Sequence, residues 1–195
     1  MFQNRYRFLS LLGIAVIVVG CRNVSRQPTI KTTYHYYEIK GSSEEELRSQ
    51  LDSLGPGNPD EGHFDAHTDW QVTWSYPYSQ KRDKCSIGRI DIQVEITFTY
   101  PRWNPPPNAP EDLKEKWSHY LMSLQMHEEG HKDIGIEAAN IVLEMLNNLP
   151  AFPTCNELEE TADSKAADIL AEFRTKEESY DQDTNHGRNQ GAIFP

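Results

Sequence analysis

In the middle of the chain, Ile90, Ile92, Val94, Ile96, Phe98 and Tyr100 alternate with Arg89, Asp91, Gln93, Glu95, Thr97 and Thr99. A period of two sends one set of side chains into a core and the other toward water, the mark of a half-buried strand. Trp70, Val72, Trp74 and Tyr76 repeat the pattern earlier, and the Tyr- and Thr-rich stretch from Thr32 to Ile39 predicts a first strand. Between those two, Ser43-Glu44-Glu45-Glu46 is a capping box opening a short helix that carries Leu47, Leu51 and Leu54. Gly55-Pro56-Gly57-Asn58-Pro59 stops it. Five prolines from Pro101 to Pro110 predict an extended, helix-free link.

The period then lengthens. Pro110-Glu111-Asp112 suits a helix start, with proline at the first positions and acids against the N-terminal dipole. Leu113, Trp117, Tyr120, Leu121 and Leu124 follow at helical spacing, continued by Ile134, Ala138, Ile141, Val142, Met145 and Leu146 as far as Pro150. Gly130 and Gly135 are the places where so long a helix would bend. A second helical pattern spans about Asn156 to Ser179, whereas Tyr180 to Pro195 has no periodicity and reads as a loop. The expected fold class is α+β: a small antiparallel sheet of three or four strands packed on one long helix.

A length of 195 residues with 37% hydrophobic and 25% charged positions fits one domain with a modest core. A net charge of −11 argues against nucleic acid, which needs basic patches. The N-terminus reads as an address. Arg5 and Arg7 precede an apolar run from Phe8 to Val19 that is too short to span a bilayer, a secretory signal. Val18-Val19-Gly20-Cys21 resembles the lipobox of bacterial lipoproteins, which implies a signal peptide ending at the lipobox (1–21), cut after Gly20 so that a lipidated Cys21 becomes the new N-terminus. Residues 22–30 would be a tether and 31–195 the domain. Arg22 stands where an aspartate would signal inner-membrane retention, so the resemblance favours the outer membrane. With Cys21 acylated, Cys85 and Cys155 remain for one disulfide in an oxidising compartment.

The candidate chemistry lies inside the long helix, at His127-Glu128-Glu129-Gly130-His131. The H-E-x-x-H spacing puts two imidazoles one turn apart on one face, able to converge on a zinc ion, with Glu128 placed as general base toward a water. A catalytic zinc needs a third protein ligand. Glu157 and Glu160 on the following helix are candidates, His186 in the aperiodic tail is the more attractive, and Asp183 is a minor alternative. Asp133 and Asp183 could orient a ligand histidine, and Tyr180 could donate to a developing oxyanion. His63 and His67 share the i,i+4 spacing but lie among turn residues, and His119 is two turns from His127, too far to share its ion.

These pieces together resemble a bacterial family known as predicted secreted zinc-dependent proteases, a domain of unknown function. The matching residues are Trp70 to Tyr76, Cys85 with its alternating strand, Pro101-Arg102-Trp103, Trp117 leading to the histidine motif, and Cys155. Tyr180-Asp181-x-x-Thr184-x-His186-Gly187-x-x-Gln190-Gly191-Ala192 completes the set, so the likeness covers residues 30–195. It implies a metallopeptidase-like domain with His127, His131 and His186 as zinc ligands. The expected function is hydrolysis of a peptide or protein substrate at the cell envelope, on a membrane reached through the lipid anchor. The alternative is a non-catalytic envelope binding or scaffold lipoprotein with a structural or inactive metal site.

Overall fold

A computed structural model describes residues 27–58 and 62–195. The expected secretory signal, Cys21 and most of the expected tether lie outside the described residues. The elements in chain order are β1 (Thr29–Ile39), α1 (Glu44–Leu54), β2 (Gly57–Asn58), β3 (Gly62–His63), β4 (His67–Ser75), β5 (Tyr78–Lys81), β6 (Lys84–Ile87), β7 (Asp91–Trp103), α2 (Glu111–Asn147), α3 (Cys155–Thr184) and a 3₁₀ turn at Arg188–Gln190. No helix among the described residues is long and apolar enough to cross a membrane.

The fold is α+β, and its main sheet is mixed, in the order β1-β7-β4. Strand β4 runs antiparallel to β7, from His67 opposite Thr99 to Ser75 opposite Asp91. Strand β1 runs parallel to β7, from Thr29 opposite Gln93 to Ile39 opposite Trp103. The expectation of an antiparallel sheet is corrected here for a physical reason. Alternation reports which face of a strand is buried and carries nothing about a neighbour's direction. A parallel pair needs a long crossover, and everything from α1 to β6 supplies it. Strand β7 also outruns its alternating segment to Trp103, taking in Pro101. There β4 has already ended and only β1 lies alongside, so a proline is tolerated.

Helix α2 covers the inner face of β4 and β7. Ile92, Val94, Ile96, Phe98 and Tyr100 meet Trp70 and Val72 from β4 and Tyr120, Leu124, Ile134, Ala138 and Val142 from α2 in one core cluster. The helix is continuous over 37 residues, so its two glycines serve contact. A Cβ on Gly130 would come within 2.2 Å of the Tyr180 hydroxyl oxygen, and one on Gly135 within 2.5 Å of Trp70 Cγ. They let α3 and β4 approach the helix backbone. The capping box on α1 forms by half: Ser43 Oγ accepts from the Glu46 N–H at 3.2 Å, but Glu46 Oε2 accepts from the Ser42 N–H at 2.7 Å, one residue earlier than the motif expects. Leu47 and Leu51 are buried and Leu54 is exposed. Arg48 ties α1 to the core through Asp65, whose Oδ2 also accepts from the Tyr120 hydroxyl at 2.7 Å.

The hairpin of β5 and β6 is pinned to the start of α3. Cys85 exchanges two 2.8 Å main-chain hydrogen bonds with Phe152, and its sulfur is bonded to Cys155 across 70 residues of sequence. The disulfide expected from cysteine usage is present. Closing so long a loop restricts the unfolded chain, so Cys85→Ser/Cys155→Ser is expected to lower stability by about 2–4 kcal/mol in urea unfolding. An unchanged unfolding midpoint would show that the two hydrogen bonds to Phe152 hold this corner alone.

Candidate metal centre

Three polar side chains interrupt the buried stripe of α2. His127, Glu128 and His131 are 3%, 4% and 7% exposed, in a row otherwise filled by Tyr120, Leu124, Ile134 and Ala138. Ionisable groups are seldom buried without partners. Both Nε2 atoms converge on one oxygen: His127 Nε2 lies 3.1 Å from Asp181 Oδ1, and His131 Nε2 lies 3.0 Å from the same atom. The outer nitrogens are engaged as well. His127 Nδ1 is 3.0 Å from Gln190 Oε1, and His131 Nδ1 is 3.5 Å from Glu177 Oε1. Glu177 in turn accepts from Trp70 Nε1 at 2.6 Å and from Arg174 at 2.8 Å, while the guanidinium sits 3.7 Å above the Trp70 ring.

Each imidazole thus faces oxygen on both sides, yet a neutral imidazole carries one N–H. With Nδ1–H donated outward, the convergent Nε2 side has room for a cation, either protons or a metal. His127, His131 and Asp181 form the one group among the described residues whose ligand atoms all lie within 4.8 Å of one another. Tetrahedral zinc with bonds of about 2.0–2.1 Å holds its ligand atoms about 3.3 Å apart. The observed 3.0–3.1 Å is close to that. Two imidazoles and one carboxylate are a donor set zinc takes, and three protein ligands leave a position open. The residues fit the ion.

The charges agree with the contacts. Burial opposes the protonated form of His131, but its hydrogen bonds to Asp181 and Glu177 outweigh that and carry its pKa up to about 9. Burial would raise Asp181, and hydrogen bonds from His127 and His131 overcome it, holding the carboxyl well below the usual range. Glu177 is lowered in the same way, against burial, by His131 and Arg174. Glu128 goes the other way: burial raises it, despite a hydrogen bond from Thr68 Oγ1 to Oε2 at 2.6 Å and the nearby histidines.

Helix α3 brings Asp181 to the site because it runs to Thr184, past the expected end at Ser179. Tyr180 is therefore helical. Its ring stacks on His127, with centroids 5.1 Å apart and planes 10° apart, and stands edge-on to His131 at 5.0 Å. Its hydroxyl donates to the His127 carbonyl oxygen at 3.1 Å, so it is committed to the α2 backbone rather than aimed as an oxyanion donor. Asn185, at φ 51°, caps the helix in the left-handed region, and His186, at φ 50°, continues the reversal.

His186 lies beside the trio rather than within it. Its side chain is 49% exposed and Nδ1 stands 3.7 Å from Asp181 Oδ1. Asp183 is exposed, and its main-chain oxygen accepts from Asn189 Nδ2 at 2.9 Å. Asp133 is exposed beside Lys132. Glu157 and Glu160 are exposed near the start of α3, more than about 30 Å along the helix from Asp181. His63 holds the Gly55 carbonyl at 2.8 Å, and His67 opens β4 on the surface. Residue types alone passed over Glu177 and Thr68, and assigned no role to Asp181 and Gln190, which stand in the C-terminal motif of the family likeness. Glu177 and Asp181 stand four apart, a signal that becomes visible once the helix is carried through Thr184.

No curated protein and no solved structure matches the chain. A family model does match, over residues 34–187, a span that takes in Thr68, the histidine motif, Glu177, Asp181 and His186. The chain belongs to that family, described as bacterial protein of unknown function (DUF922).

Proposed function

We propose that the chain is a zinc-dependent peptidase of the bacterial cell envelope, anchored by lipid on Cys21, with a zincin-like arrangement of motif helix and sheet. His127, His131 and Asp181 would hold the metal. The observation that carries the reading is the convergence of both Nε2 atoms and Asp181 Oδ1 beside a buried glutamate on the same helix. Zinc in such a site supplies Lewis acidity that polarises a carbonyl and lowers the pKa of water toward neutrality. Glu128 takes the proton of the attacking water and returns it to the leaving amine. Burial suits it to both steps, since a carboxyl raised above its ordinary pKa accepts a proton more readily. Thr68 fixes the orientation of that carboxylate. The substrate is a peptide or protein.

The test uses the purified full-length chain and an unfolded basic protein as substrate, chosen to complement the net charge of −11. About one zinc per chain is expected. Cleavage should stop on chelation and return with zinc. A zinc-loaded chain that leaves the substrate intact would favour the second reading, a scaffold lipoprotein with a structural metal. His186 supports that alternative, because it is the side chain placed next to the trio to close a fourth position.

A further inference from the structure

The segment after α3 folds back onto α2 and is held at both ends. At its start, Gly187 has φ 77°, and a Cβ there would fall 2.9 Å from His127 Cγ, so only glycine can lie this close to the imidazole. At its end, Phe194 is buried against Trp117 and Tyr120, with ring centroids 5.5 and 5.1 Å away. Gln190 sits between these anchors. The Gln190 N–H bonds the Gly187 carbonyl at 2.9 Å, so the turn that carries the side chain is itself closed.

The Gln190 side chain completes a ring of hydrogen bonds with a defined direction. Tyr180 has one hydroxyl proton, and it goes to the nearer acceptor, the His127 carbonyl at 3.1 Å, rather than to Gln190 Oε1 at 3.4 Å. The hydroxyl oxygen is then free to accept from Gln190 Nε2, also at 3.1 Å. That contact turns Oε1 toward His127 Nδ1, 3.0 Å away, and an amide oxygen there requires a proton on Nδ1. Nε2, the atom facing Asp181, is thereby the nitrogen whose lone pair is given to a metal in place of the proton shared with that carboxylate.

From this ring we infer that Gln190 is a positioning residue for the metal: through Tyr180 it selects the His127 tautomer whose Nε2 can bind zinc, making the C-terminal turn part of the centre. The inference rests on the reading of His127 and His131 as metal ligands and is independent of whether the centre hydrolyses peptides.

The test is zinc affinity of the full-length chain by competition with a chromophoric chelator, together with the nitrogen NMR shifts of His127 in the zinc-loaded state. Gln190→Leu keeps the volume and loses the acceptor, and is expected to weaken zinc binding about 10- to 100-fold. Gln190→Glu keeps an acceptor facing Nδ1 and should restore affinity to within about threefold of the parent. The parent's zinc-loaded His127 should show a protonated Nδ1. Equal affinity in all three chains overturns the inference, as does equal loss in both variants, which would mean that the amide N–H given to Tyr180, and not the acceptor facing His127, is what matters. A parent that binds no zinc would remove the metal-centre reading itself, an outcome separate from either of these.

Discussion

Glu128→Gln is expected to lower peptide hydrolysis by between about 10² and 10⁴ while zinc content stays at that of the parent. The amide matches the carboxylate in shape and can still accept from Thr68 Oγ1, so the contact at 2.6 Å has a counterpart in the variant. What it cannot do is take a proton from water. Stability gives an independent reading of the same substitution. Burial raises the pKa of Glu128, so the folded state disfavours the charge that the unfolded chain carries at neutral pH. A raised acid contributes against folding above its unfolded pKa, and that contribution disappears as pH falls below both values. Removing the charge should therefore raise the melting temperature of the zinc-free chain at pH 7 and change little at pH 4. A residue that costs stability and is needed for turnover is a functional residue. Full activity in Glu128→Gln would end its assignment as the base, and a lower melting temperature at pH 7 would mark it as structural.

How much of this was legible depends on what each stretch of chain faces. Strand β7 faces a core on one side, so its alternation is clean, and Ile92 to Tyr100 are buried as the pattern predicts. The direction of β1 was not legible, because parallel and antiparallel partners present the same alternation. The end of α3 was lost for a different reason. Its last turns face the centre rather than the core, so the inward positions Glu177, Tyr180, Asp181 and Thr184 keep helical spacing but are polar or amphipathic. A search for apolar periodicity stops at such a place. The same substitution of polar for apolar occurs in mid-stripe at His127, Glu128 and His131, but there the flanking apolar positions carry the helix across. Sequence pattern therefore found the half of the site embedded in a core helix and missed the half supplied by a helix end. Gly130 and Gly135 teach a related lesson. Glycine in a helix reads as a bend, whereas here its use is lateral: Tyr180 and Trp70 press onto the bare backbone.

The third ligand is where sequence and geometry differ most, and two substitutions separate them. Asp181→Ala is expected to weaken zinc binding by about 10² to 10³, the share of one ligand in a site whose zinc is worth about 10–16 kcal/mol. His186→Ala is expected to change it by no more than about threefold, as for an exposed group outside the coordination shell. The expectation follows from position. Asp181 Oδ1 is the atom on which both Nε2 atoms converge at 3.0–3.1 Å, and it stays ionised against its burial, whereas His186 is half exposed and reaches only that same oxygen, at 3.7 Å. The resemblance that pointed to His186 and the geometry that points to Asp181 are reconciled if His186 lies at the open side, where it would meet substrate. Chelator competition on the two full-length variants decides. A large loss in His186→Ala with little in Asp181→Ala would restore the three-histidine set and make Asp181 the carboxylate that orients it. Equal large losses would mean four protein ligands, and with no position left for water the peptidase reading would give way to a structural metal.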